Sequence, residues 1–290
     1  MRLALALLGL LAILVLLSLV TTRVTMPMGG LGRQLLSSAL NGTAALVALL
    51  GMGRYLERRG PSELGLGRQG VGRHLGWGML LGAGLMGAVV AVLSLPGWLQ
   101  WGGGPPDTLR QHGREALVWL AIFLFAGVFE EVLFRGLFFR LVEEWLGSGA
   151  ALAASGALFG LIHMDNDYGT GLIAMTIALE GGLLLGACYM LSRSLWFPIA
   201  VHVAWNCAEG VLFGLPVSGT PVHSVFTGRL VGPAFWTGGA FGPEAGAVSI
   251  LLSTLAGVAL VRAAARRGQW RPLSLRTHAT SESGARRPWP

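Results

Sequence analysis

Apolar residues do not alternate with polar ones along this chain; they gather in runs close to the length that crosses a bilayer. A hydrocarbon core about 30 Å thick requires about 20 helical residues. On that length the runs fall at 3–22, 35–53, 76–98, 116–140, 149–164, 171–192, 195–213 and 245–263. The pattern predicts an all-α polytopic membrane bundle of about eight transmembrane helices. The first run is longer than the apolar region of a secretory signal and no small-residue cleavage site follows it, so it reads as an uncleaved span. The fifth is short, and "MDNDYGT" after it has no place in lipid, so it reads as a partly immersed helix backed by its neighbours.

Composition agrees, with 53% hydrophobic and 12% charged residues and a mean hydropathy of +0.63, far from soluble globular usage. A net charge of +7 invites a nucleic-acid reading, but the cations sit in loops between apolar runs, where lipid headgroups meet them. Nucleic acid is excluded as a partner on that ground. Every one of the 21 basic residues is arginine, a usage expected of a GC-rich, bacterial genome. Cys188 and Cys207 fall in apolar runs and read as small buried hydrophobes, not as a disulfide.

Cytoplasmic loops are enriched in arginine. The loop bearing Arg54, Arg58, Arg59, Arg68 and Arg73 and the tail bearing Arg262, Arg266, Arg267, Arg271, Arg276, Arg286 and Arg287 therefore belong in the cytoplasm. With eight spans both termini are cytoplasmic, Arg140 and Arg193 fall at cytoplasmic helix ends, and 99–114 and 214–244 lie outside. The expected organisation is N-terminal helices with a basic loop (1–114), a core (115–213), a Gly-rich loop with the last span (214–263), and a basic disordered tail (264–290).

A charge within hydrocarbon costs about 2.5–3.5 kcal/mol or more, so the polar residues inside the runs need a role: Glu130, Glu131, Arg135, His163, Glu180, His202, Asn206 and Glu209. If the fourth and fifth runs form an antiparallel hairpin turning near "LGSGA", Glu130 and His163 are equidistant from the turn and face each other. His202 and Asn206, four apart, share one helix face and reach the same level. A buried carboxylate beside a neutral imidazole can deprotonate an attacking water, and an amide and a second imidazole can hold the resulting oxyanion. Arg135, one turn beyond Glu131, is placed to pair with it and leave Glu130 free. Glu180 lines or packs the cavity, and Glu209 either orients Asn206 or does the same. Gly182 and Gly186 mark a close helix contact.

"EEVLFR" (Glu130, Glu131, Arg135), "FGLIH" (Phe159, His163) and "HVAWN" (His202, Asn206) resemble, in order, the motifs EExxxR, FxxxH and HxxxN of the CPBP family of membrane proteins, which includes CAAX prenyl proteases and bacteriocin-processing or immunity-type members. The resemblance covers residues 115–213. It implies an intramembrane glutamic endopeptidase, with Glu130 and His163 activating water and His202 and Asn206 forming the oxyanion hole. It implies no cofactor. Glu130, His163 and His202 make a formal His₂Glu zinc set, but neither HExxH nor HxxEH occurs. The partners expected are the bilayer and a membrane-associated peptide or protein substrate, in a bacterial plasma membrane. The alternatives are a non-catalytic scaffold or immunity protein, or a proton-coupled carrier with a polar core.

Overall fold

Glycine sets how closely the helices approach. The computed structural model describes residues 19–103, 109–222, 224 and 226–273, with the side chains of 103 and 109–112 left aside. Helix α1 (Gly30–Gly51) continues through a π-helical turn to Glu57, and α2 (Val71–Ser94) leads into strand β1 (Leu99–Gly103). Helix α3 (Leu109–Glu131) passes into a π-helical stretch, Val132–Phe139, and then α4 (Arg140–Leu146). Gly147, at φ +87°, turns the chain into α5 (Ser148–Ile162).

Beyond a 3-10 turn at His163–Asp165, α6 (Gly171–Ile177) runs through the π-helical Ala178–Leu185 into α7 (Gly186–Ser192). Helix α8 (Trp196–Asn206) likewise ends in a π-helical turn, Cys207–Leu212. Strand β2 (Phe226–Leu230), the short α9 (Ala234–Thr237) and α10 (Ala247–Arg266) complete the order.

A Cβ at Gly42 of α1 would stand 2.9 Å from the Phe125 carbonyl oxygen of α3, one at Gly78 of α2 2.9 Å from that of Phe197, and one at Gly156 of α5 2.9 Å from that of Ala178. Gly182 lies against the Gly156 backbone, and Gly186 against Leu152, which realises the small-residue contact read from the sequence. In lipid, where tails are as apolar as leucine, such backbone approach is what holds helices together.

Among the described residues five helical segments are long and apolar enough to cross a membrane: Gly30–Glu57, Ser62–Ser94, Gly113–Leu146, Gly171–Ser192 and Ala247–Arg266. The all-α membrane bundle stands, but the count of about eight does not follow from the described residues. Most of the expected first span lies outside them. Helix α5 has 15 residues and α8 has 11, the latter extended by its π turn, so both fall short of a full crossing.

The antiparallel pairing of β1 with β2, Leu99 opposite Leu230 and Gly103 opposite Phe226, was not anticipated. It joins the two segments expected to share the outer side, and its glycine-rich strands of five residues give no period-2 signal of their own.

At the other end of α2, about 36 Å away for 24 residues at 1.5 Å each, arginines and glutamates interlock. Arg140 donates to both Glu57 oxygens at 2.6 and 2.8 Å, Arg59 to Glu144 at 2.6 Å, and Arg193 to Glu143. The first residues of the expected tail, 264–273, are described and pack here. Helix α10 runs on to Arg266, and Ser148 N–H donates to the Arg271 carbonyl at 2.9 Å while Arg271 N–H donates to Ser148 Oγ at 3.0 Å. The Gly147 turn therefore holds the chain to residue 273; 274–290 lie outside the described residues.

Candidate active site

The two adjacent glutamates separate at the point where α3 becomes π-helical. Glu131 and Arg135 are fully buried and paired at 2.9 Å, as their spacing predicts. Arg135 also donates to the Gly181 carbonyl at 2.6 Å, and its guanidinium lies 4.9 Å from the centre of the Phe159 ring. The same Glu131 Oε1 has a second partner, His202 Nδ1, at 2.9 Å. Glu131 is thus a hinge between two motifs rather than only a counter-ion.

Glu130 looks the other way. Its Oε2 has no hydrogen-bond partner, and the nearest cationic atom is His202 Nε2 at 3.8 Å, too long for a hydrogen bond. His202 therefore sits between two carboxylates, bonded to one and facing the other.

His163 terminates α5. Its Nδ1 lies 2.6 Å from the Phe159 carbonyl, and because a carbonyl only accepts, Nδ1 carries the hydrogen and Nε2 of the neutral ring keeps its lone pair. The Phe159 ring stands 4.6 Å from His163, 6.2 Å from His202, and edge-on to Phe134 at 4.9 Å. The phenylalanine of the second motif so fixes the histidine four residues on through its backbone and spaces both imidazoles with its ring.

Two spaces meet here. A small cavity of about 50 Å³ is lined by His163, His202, Asn206, Glu180, Ser218 and Glu244 among apolar walls. A groove of about 320 Å³ is lined by Glu130, Asn206 and Ser218 with Trp119, Phe123 and Arg33. Glu130 and His163 thus do not line one cavity; they border adjoining spaces, with Asn206 and Ser218 belonging to both and His202 reaching between them.

Ser218 and Glu244 went unread because both lie in the Gly-rich segment assigned to the outside, and only their folding back onto the bundle brings them in. Glu180 was visible as a carboxylate in an apolar run. Glu209 does not orient Asn206: its Oε2 accepts from Trp205 Nε1 at 3.0 Å, a partner four residues back on the same helix face.

Among the described residues no three His, Cys, Asp or Glu side chains are gathered to hold a metal ion.

Residues 112–208, about a third of the chain, match the family model described as type II CAAX prenyl endopeptidase Rce1-like. The matched segment contains all three motifs and stops short of Ser218 and Glu244, and it agrees with the CPBP resemblance of the motifs. Neither the curated proteins nor the solved structures give a match. Segment 112–208 is thus similar to a family of membrane proteases, and with the apolar helices around it the chain is an integral membrane protein.

Proposed function

On the premise of that family match, we propose that the chain hydrolyses a peptide bond of a membrane-associated substrate with a water activated by Glu130 and His163. The observation that carries this reading is the unpartnered Glu130 Oε2 beside a histidine whose other nitrogen is anchored.

The substrate lies in the groove, with its scissile carbonyl at the border that Asn206 and Ser218 share. Water enters from the small cavity, hydrogen-bonded to His163 Nε2. Its oxygen attacks the carbonyl carbon, and Glu130 takes its proton. The carbonyl electrons move to oxygen, which receives hydrogen bonds from Asn206 and from His202 Nε2–H.

That last role requires His202 to carry both ring protons, because Nδ1–H is committed to Glu131. Charge balance supports this form: Glu130 and Glu131 bring two negative charges, Arg135 and the His202 imidazolium two positive ones. A buried constellation that sums to zero is the affordable one in low dielectric.

The segments rich in arginine lie with Arg140 and Arg193 at one end of the bundle, which we place in the cytoplasm of a bacterial cell. The reading is tested by terminal proteomics of membranes from cells carrying the wild-type chain or Glu130→Gln at equal abundance. New C-termini or N-termini that depend on Glu130 support it, and identical termini in both membranes reject it.

A further inference from the structure

Peptide hydrolysis needs a second proton transfer, because an amine does not leave as its anion. We propose that Ser218, acting with Glu244, delivers that proton to the leaving nitrogen. The proposal rests on the endopeptidase reading above and adds to it a catalytic pair lying outside the family-matched segment.

Position comes first. Ser218 and Asn206 both line the groove and the small cavity, so the serine hydroxyl borders the place assigned to the scissile bond. Its hydroxyl donates to Glu244 Oε1 at 2.6 Å. Glu244 is more than nine-tenths buried, lines the cavity with both histidines, and has no ion pair among the described residues. A carboxyl so placed serves better as an acid than as a fixed charge. Burial holds the Glu244 carboxyl above its ordinary range, against the pull of the Ser218 bond and the two histidines.

Backbone strain points the same way. Ser218 adopts φ +50°, a left-handed conformation that serine enters only under constraint. Paired bonds between Val217 and Thr220, at 3.0 and 2.8 Å, and a bond from Gly219 N–H to the Phe241 carbonyl at 2.7 Å hold it there. Strain maintained by its surroundings at the edge of a site is a mark of function.

The protons balance. As the carbon–nitrogen bond breaks, the Ser218 hydroxyl turns from Glu244 to the amine nitrogen and gives it its proton, and the Glu244 carboxyl, now the donor of the same bond, passes its own proton to Ser218 Oγ. The proton that Glu130 took from water then returns to Glu244 by way of water in the groove and the Ser218 hydroxyl, which borders both spaces. Water is consumed and no other co-reactant is required.

The experiment uses the full chain in lipid vesicles. A quenched fluorescent peptide is chosen from a random library by Glu130-dependent cleavage, and a 4-nitrophenyl ester of its acyl half serves as the comparison, because nitrophenolate leaves without a proton. Ser218→Gly removes the hydroxyl while relieving the positive φ, so folding is preserved; Glu244→Gln is the second variant.

Both are expected to lower amide turnover by about 10²-fold or more and ester turnover by less than about tenfold. The double variant should be no slower than the worse single one. Equal losses on amide and ester, or wild-type amide turnover in Ser218→Gly, overturn the proposal while leaving the peptidase reading intact. If no library peptide is cleaved in a Glu130-dependent way, the peptidase reading falls and this inference with it.

Discussion

His202 Nδ1 and Glu131 Oε1 are 2.9 Å apart, and this one contact ties the first motif to the third across 71 residues. Because the same oxygen binds Arg135, a buried Arg–Glu–His chain runs from the Gly181 carbonyl to the face of Glu130. It presents His202 Nε2 in one orientation, as a carboxylate does for any working histidine.

Glu131→Gln should therefore harm the protein twice. The amide cannot neutralise Arg135, and breaking a buried pair on one side typically costs about 3–5 kcal/mol. It also loosens His202. Folded yield, thermal stability and turnover per folded molecule should all fall; a variant with wild-type stability would show that Arg135 is held by the Gly181 carbonyl and Phe159 alone.

Glu130→Gln should separate from it cleanly. Glu130 Oε2 has no bond to lose, so stability should hold, while turnover drops by about 10²–10⁴-fold, the usual worth of a general base. Near-wild-type turnover here, with a stable but inert Glu131→Gln, would mean the two carboxylates have exchanged roles.

The sequence was most legible where a local repeat carried the information. The i,i+4 spacing of Glu131 and Arg135 announced their pair, and "LGSGA" announced the turn at Gly147. Less visible was whatever depended on the helix not being α. The π-helical stretches at Val132–Phe139, Ala178–Leu185 and Cys207–Leu212 re-aim the side chains around the site, and three-dimensional crowding rather than any residue type selects them. Ser218 and Glu244 were hidden for another reason: their segment is polar and Gly-rich, and only long-range contacts bring it over the cavity.

Asn206→Ala tests the oxyanion hole. Asn206 borders both spaces, and loss of one donor should lower kcat by about 10²–10³-fold with little change in KM. A raised KM at unchanged kcat would instead make Asn206 a substrate-binding residue, met equally in ground and transition states.

Gly160 offers a test of the scaffold. A Cβ there would overlap the Ala174 carbonyl oxygen and stand 2.9 Å from the Ala178 Cβ. Helix α5 must then move off α6, and His163, three residues on, moves with it. Gly160→Ala should cost about 1–3 kcal/mol, as overpacking does, and lower turnover in step. Gly87→Ala on α2, where a Cβ meets nothing within 4 Å, is the matched control and should gain helix propensity.

Metal dependence separates the water-activating scheme from the formal zinc set most directly. If Glu130 and His163 act on water themselves, activity in vesicles should survive prolonged treatment with 1,10-phenanthroline, and the purified active chain should hold no stoichiometric zinc. The geometry leaves the same atoms open to either scheme: His163 Nδ1 bonds the Phe159 carbonyl and His202 Nδ1 bonds Glu131, so the Nε2 atoms are free, and Glu130 Oε2 stands 3.8 Å from that of His202. A zinc ion would need all three to converge at about 2.0–2.2 Å, which requires them to draw closer than the hydrogen bonds of a shared water do. Loss of activity to chelator with recovery by zinc alone would show that this rearrangement occurs, and would replace the carboxylate-base scheme with metal-bound hydroxide.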